Sequence, residues 1–138
     1  MSRISGWEDR LRSYVVSVKD TPFVWGQHDC LLFAAGCVQA VTGRDLADNY
    51  RGKYSTARQA KQLLKQITAG EGTVDAALDR VGQRLPSVLA ARRGDLVATV
   101  AGRGPCIGVV GPGGCFFVSE RGLFRVPIRM CYAAWRIY

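Results

Sequence analysis

The chain has 138 residues, 48% of them hydrophobic and 22% charged, which is the size and composition of one ordinary globular domain. This balance excludes a disordered or low-complexity chain, and we expect a single domain over residues 1–138. The formal charge of +8 favours anionic surroundings, but the basic residues are dispersed and carry no RNA- or DNA-binding signature. A nucleic-acid-binding accessory domain is therefore the weakest hypothesis, and we expect no nucleic-acid partner.

The N-terminal residues and the apolar runs bear on localisation. Residues 1–10 include four charged side chains and few apolar ones, so they lack the hydrophobic core of a secretory signal. The longest apolar run, residues 30–35, is far shorter than the ~20 residues that span a bilayer. We therefore expect a soluble protein without a membrane span.

The cysteines carry no signature of a disulfide framework or a zinc ribbon, because their number is odd and no C-x-x-C pair occurs. They are Cys30, Cys37, Cys106, Cys115 and Cys131. We predict reduced thiols, no metal and no cofactor, with Cys37 and Cys131 packed as small hydrophobic side chains. An iron–sulfur site held by four thiolates is left open as an alternative, although its spacing signature is absent.

Two helices are predicted in the first third of the chain. Apolar residues recur at helical spacing over residues 6–18. Residues 30–42 are apolar almost all round, which is typical of a helix buried in a core. Asp29 is the expected N-cap of this second helix, and Gly43 is its expected stop.

Two further helices follow a polar segment. Thr56 and Gln59 have the spacing of a capping box, and an apolar stripe continues from there to Ile67. Thr73 is the expected cap of a shorter helix over residues 74–81, which Gly82 ends. The helical half of the chain is predicted to finish there.

From Leu96 onward the pattern changes to short β-rich runs separated by Gly, Pro and Arg. The predicted strands cover residues 96–100, 107–110, 116–118, 123–126 and 133–137. Helices first and strands afterwards indicate an α+β fold rather than a doubly wound parallel sheet. We expect N-terminal helices packed on a mostly antiparallel C-terminal sheet.

Cys30 falls in the first turn of the predicted second helix. Unpaired backbone N–H groups and the helix dipole favour a thiolate there, so we expect a lowered thiol pKa and a candidate nucleophile. Gly26 would let the backbone turn sharply just before the helix. The alternative is a buried cysteine behind an ordinary cap, which composition alone favours.

Three separated motifs resemble those of NlpC/P60 peptidases, which have a papain-like fold. Residues 23–26 (FVWG) followed by Asp29-Cys30 look like the motif around their catalytic cysteine. Residues 92–97 (RRGDLV) are similar to their Arg-Pro-Gly-Asp-Leu-Val strand entry, and residues 106–111 (CIGVVG) fall where they carry His-Val-Gly-Ile. Together with residues 135–137 and the insert at 50–57, the pattern also resembles short, DUF6950-like proteins encoded among phage and prophage tail genes.

The resemblance implies an NlpC/P60 fold with Cys30 at the nucleophile position. It also aligns Cys106 with the catalytic histidine of that family, so the usual base is missing. The following strand offers no polar side chain before Ser119 to orient a base. The chain's single histidine, His28, is an alternative base if the turn at Gly26 brings it beside Cys30.

We therefore expect a tail-tip or tail-assembly protein of a phage or prophage. It would be made in the bacterial cytoplasm, assembled into the virion tail with other tail proteins, and catalytically impaired. The alternative is an active cysteine hydrolase, a peptidoglycan endopeptidase or amidase, with Cys30 as nucleophile and His28 as a displaced base. Peptidoglycan is the partner that this alternative implies.

Overall fold

The computed structural model describes residues 2–102 and 104–138, so Met1 and Arg103 of the expected domain lie outside the described residues. Four helices come first along the chain. They are α1 (Trp7–Val18), α2 (Cys30–Thr42), α3 (Ala57–Ile67) and α4 (Val74–Val81). The strands follow as β1 (Gln83–Arg84), β2 (Leu96–Ala101), β3 (Gly104–Gly111), β4 (Gly114–Ser119), β5 (Gly122–Val126) and β6 (Ala133–Arg136). Short 3₁₀ turns occupy Val88–Ala90 and Ile128–Met130. The predicted α+β class is confirmed.

The strands form one sheet in the order β1-β6-β2-β3-β4-β5, and each strand pair in the described chain is antiparallel. The last strand, β6, lies between β1 and β2, with Trp135 opposite Leu96. The C-terminal end of the chain therefore returns to the interior of the sheet. β1 was not predicted, because its two residues are exposed and polar and carry no alternation of apolar side chains.

The predicted helix ends are confirmed by their caps. The Asp29 carboxylate accepts a hydrogen bond from the Leu32 backbone N–H at 2.9 Å. Thr56 and Thr73 cap α3 and α4 in the same way, each at 3.1 Å. Gly43 ends α2 with a φ of +81°, in the left-handed region that favours glycine. These contacts are local in sequence, which is why spacing alone could predict them.

The main core lies between the helices and one face of the sheet. Its largest fully buried members include Phe33 and Val41 of α2 together with Leu96, Val109 and Trp135 of the sheet. A smaller core on the opposite face contains Val97, Cys115, Phe117, Cys131 and Ala134. Cys37 and Cys131 are 1% and 6% exposed, which agrees with their predicted role as small hydrophobic side chains.

Neither a membrane helix nor a cluster of metal ligands occurs in the part of the chain that the structure describes. No helix within residues 2–102 and 104–138 is long and apolar enough to cross a bilayer. Over the same residues, no group of three or more His, Cys, Asp or Glu side chains is arranged to hold a metal ion.

A buried ion-pair network ties the two ends of the chain to the sheet. The Asp95 side chain is 0% exposed and accepts hydrogen bonds from Arg3 Nη2 at 2.7 Å and Arg136 Nε at 3.1 Å. It also accepts one from the Arg92 backbone N–H at 2.8 Å. Arg3 Nε in turn donates to the Ile137 carbonyl oxygen at 2.8 Å. Asp95, in the RRGDLV motif, therefore pairs with two guanidinium groups at once.

We predict that Asp95→Ala lowers the free energy of unfolding by about 3–5 kcal/mol, because it leaves Arg3 and Arg136 without their buried counter-charge. The matched control is Asp9→Ala, which breaks the ion pair of Asp9 with Arg12, whose side chains are 80% and 75% exposed. That change should cost at most about 1 kcal/mol. Urea denaturation followed by circular dichroism measures both values, and equal losses would contradict the structural role of Asp95.

Candidate functional site

A tight backbone turn leads into α2. Val24 and His28 exchange backbone hydrogen bonds of 3.0 and 2.8 Å. Between them, Gly26 has a φ of +77°, and a Cβ atom added there would lie 1.7 Å from the Tyr54 carbonyl oxygen. The Gly52 N–H also donates to the Gly26 carbonyl oxygen at 2.9 Å. Glycine is thus required at position 26 by both conformation and close approach.

Asp29 fixes the junction between this turn and the helix. Its buried carboxylate accepts hydrogen bonds from the Gly26 N–H at 3.0 Å, from the Leu32 N–H at 2.9 Å and from the Tyr54 hydroxyl. Burial raises the pKa of Tyr54, and the hydrogen bond to Asp29 adds to this, so the phenol remains a protonated donor. The sequence predicted the cap but not the contact with Tyr54, which lies 25 residues away.

Cys30 begins α2 and packs against β3. As a hydrogen-bond donor, the Ile107 backbone N–H favours the thiolate form of Cys30. Burial nevertheless raises the pKa of the Cys30 thiol to about 12, and the nearby Asp29 and Cys106 act in the same direction. The expected lowered pKa is therefore wrong, because removing the thiolate from water outweighs the hydrogen bond and the helix start.

One open cleft of about 440 Å³ contains both positions that the sequence resemblance singled out. Cys30 and Cys106 line it together with Trp25, Ser119 and Phe124. Cys106 Sγ also lies 3.5 Å from the Gly104 carbonyl oxygen, to which it donates. The fold thus brings Cys30 and the residue that the resemblance aligns with the NlpC/P60 histidine to the same cleft.

His28 lines a different cleft, of about 660 Å³, together with Tyr14, Gln27 and Arg51. The side chain is 7% exposed, and its ring packs edge-on against Phe33 with centroids 6.0 Å apart. Burial lowers the pKa of His28, which the charge of Asp29 partly offsets. Its Nε2 atom has no hydrogen-bond partner among the described residues. The imidazole is therefore neutral at pH 7 and is not among the residues lining the cleft of Cys30.

Ser119 is the first polar side chain on β4, and it is engaged in the turn to β5. Its hydroxyl donates to the Gly122 carbonyl oxygen at 2.7 Å and accepts from the Arg121 backbone N–H at 3.2 Å. Both hydrogen bonds are local to the turn, so the hydroxyl is committed to it. The cleft therefore offers two thiols, a turn-bound hydroxyl, aromatic side chains and the charged residues Glu120 and Arg121, and its described lining contains no imidazole.

A family model described as a domain of unknown function (DUF6950) matches residues 2–137. The chain belongs to this family. A comparison with curated proteins gives no match. The family match confirms the likeness to DUF6950 proteins inferred from the motifs, and it covers the turn, the helix and the strand that form the cleft.

We predict that Cys30 of the folded protein reacts slowly with iodoacetamide at pH 8. The higher pKa lowers the thiolate fraction about a thousandfold, and the greater nucleophilicity of a more basic thiolate recovers part of that loss. Alkylation should be roughly fiftyfold slower than at Cys30 in the urea-unfolded chain and should accelerate as the pH rises toward 12.

Peptide mapping by mass spectrometry gives the rate at each cysteine separately. Cys37, which is 1% exposed, is the internal control for a thiol protected by burial alone. If Cys30 is alkylated faster than the other four cysteines near neutral pH, the raised pKa is contradicted.

Proposed function

We propose that this protein is a tail-tip or tail-assembly component of a phage or prophage that keeps an NlpC/P60-like fold without its hydrolytic activity. The observation that carries the loss of activity is the cleft of Cys30, which holds Cys106 where the resemblance expects an imidazole. The protein is made in the bacterial cytoplasm under this proposal and is incorporated with other tail proteins.

A papain-like reaction needs a group that takes the thiol proton and later returns a proton to the leaving amine. The thiol of Cys106 is a poor substitute, since it has no cationic form and cannot stabilise a thiolate at Cys30 as an ion pair. The pKa of Cys30, raised to about 12, leaves the nucleophile protonated at neutral pH. His28 lines another cleft and is therefore poorly placed to remove that proton. These features together support the loss of hydrolysis.

The tail assignment is supported by the resemblance to short proteins encoded among phage tail genes. Large exposed apolar side chains agree with a protein that is covered in an assembly. Leu89 is 78% exposed and Met130 is 62% exposed, and they lie on the two 3₁₀ turns, which pack against each other. Val100 is 69% exposed, and it follows Thr99, whose hydroxyl donates to the Met130 carbonyl oxygen.

We predict that the purified protein releases no peptide fragments from peptidoglycan above background, and that Cys30→Ala leaves both this result and the fold unchanged. General acid–base assistance is worth ~10²–10⁴ in rate, so a thiol without an imidazole partner should be very slow. Chromatographic analysis of digested sacculi is the measurement. Native activity that disappears in both Cys30→Ala and His28→Ala would make the protein a hydrolase with a displaced base and would overturn the proposal.

Cys106→His is the complementary variant, because it returns an imidazole to the cleft that contains Cys30. Any gain should be small, since no side chain on β4 is positioned to orient the ring. The matched control is Cys115→His in the opposite core, which should give no activity. A gain in Cys106→His that is abolished by adding Cys30→Ala would support the alignment of the two positions.

We also predict that the tagged protein recovers tail proteins when it is isolated from lysogens induced to produce particles. Paired Leu89→Ser and Met130→Ser changes should reduce that recovery severalfold, while Val16→Ser, at an exposed site on α1, should not. Mass spectrometry identifies the recovered chains. Recovery of nucleic acid alone, lost as salt is raised, would instead favour the accessory-domain hypothesis.

A further inference from the structure

A pocket of about 510 Å³ lies between the start of α1 and the segment that enters β2. Its lining consists of Arg3, Trp7, Glu8, Arg92, Arg93 and Arg136. Four guanidinium groups therefore surround one small space. The pocket shares no lining residue with the cleft of Cys30, so its role is separate from the hydrolytic question.

Two of the four arginines are fixed in place. Arg3 and Arg136 both pair with the buried carboxylate of Asp95, which supplies one negative charge for two positive ones. The Arg3 guanidinium also stacks on the Trp7 ring, 4.3 Å from its centroid. Their positions are set before any ligand arrives, so little side-chain entropy is lost when one binds.

The other two arginines are uncompensated. Arg92 and Arg93 are exposed, and neither side chain has an ion pair or hydrogen bond with another residue in the described chain. Elsewhere, Arg51, Arg80 and Arg84 each pair with an Asp or Glu side chain. The pocket therefore places the unpaired charges of Arg92 and Arg93 beside the fixed guanidinium groups of Arg3 and Arg136. This arrangement attracts an oxyanion.

We propose that this pocket binds the carboxylates of an acidic segment on a partner protein. Planar guanidinium forks match carboxylates in a bidentate manner, and four arginines line this space. The Trp7 ring face toward Arg3 is already covered, so the pocket lacks a free aromatic platform on which a nucleic-acid base could stack there. Glu8 also lines the pocket and opposes any bound anion, so the attraction rests on the four guanidinium groups.

The test uses the full-length protein and a fluorescein-labelled hexaglutamate peptide, with hexaglutamine as the uncharged control. Fluorescence anisotropy should show binding to hexaglutamate only. The double change Arg92→Gln with Arg93→Gln should weaken that binding at least tenfold, because two charge-assisted pairs are lost. Arg58→Gln with Lys61→Gln, exposed residues of α3, removes the same charge and should change the affinity less than twofold.

Each remaining outcome overturns the proposal. Equal weakening by the two double variants would mean attraction to net charge alone. No binding to hexaglutamate in low salt would exclude the acidic segment. If a labelled single-stranded DNA of equal charge binds more tightly than hexaglutamate and loses that binding in the Arg92 and Arg93 double variant, the pocket is assigned to nucleic acid instead. Peptidoglycan hydrolysis does not enter this test, so its result is independent of the proposed function.

Discussion

The buried carboxylate of Asp29 is the contact on which the candidate site depends. It joins the turn at Gly26, the first turn of α2 and the hydroxyl of Tyr54 from a distant segment. A charge removed from water is tolerated only when it is fully hydrogen-bonded, and these three donors meet that condition. The start of α2 is held in one position as a result, and Cys30 with it. A substitution of Tyr54 would therefore alter the position of Cys30, although Tyr54 does not line the cleft.

The same packing that positions Cys30 determines its chemistry. A helix start and a backbone N–H donor stabilise a thiolate, but burial penalises the charge more strongly, and the pKa rises to about 12. An imidazole beside the sulfur would offset that cost by forming an ion pair with the thiolate. Cys106 cannot do so, because a thiol has no cationic form. The thiol at position 106 and the raised pKa of Cys30 are thus consistent with one another.

Much of the fold could be predicted because its signals are local. The caps at Asp29, Thr56 and Thr73 act across three residues, so the bounds of α2, α3 and α4 follow from spacing. β1 could not be found, since its two residues pair with β6 through backbone groups without an apolar pattern. The direction of the Cys30 pKa shift could not be predicted from the sequence either, because burial against β3 depends on the tertiary structure.

The measurement that tests the central claim most directly is the pKa of His28, followed by NMR of the labelled imidazole in the native protein and in Cys30→Ser. If the only histidine is held apart from the candidate nucleophile, it titrates below its ordinary value of about 6.5, since burial disfavours the charged ring. The midpoint should then be the same in both proteins. A midpoint above 6.5 that falls when the Cys30 sulfur is removed would reveal a thiolate–imidazolium pair and contradict the account.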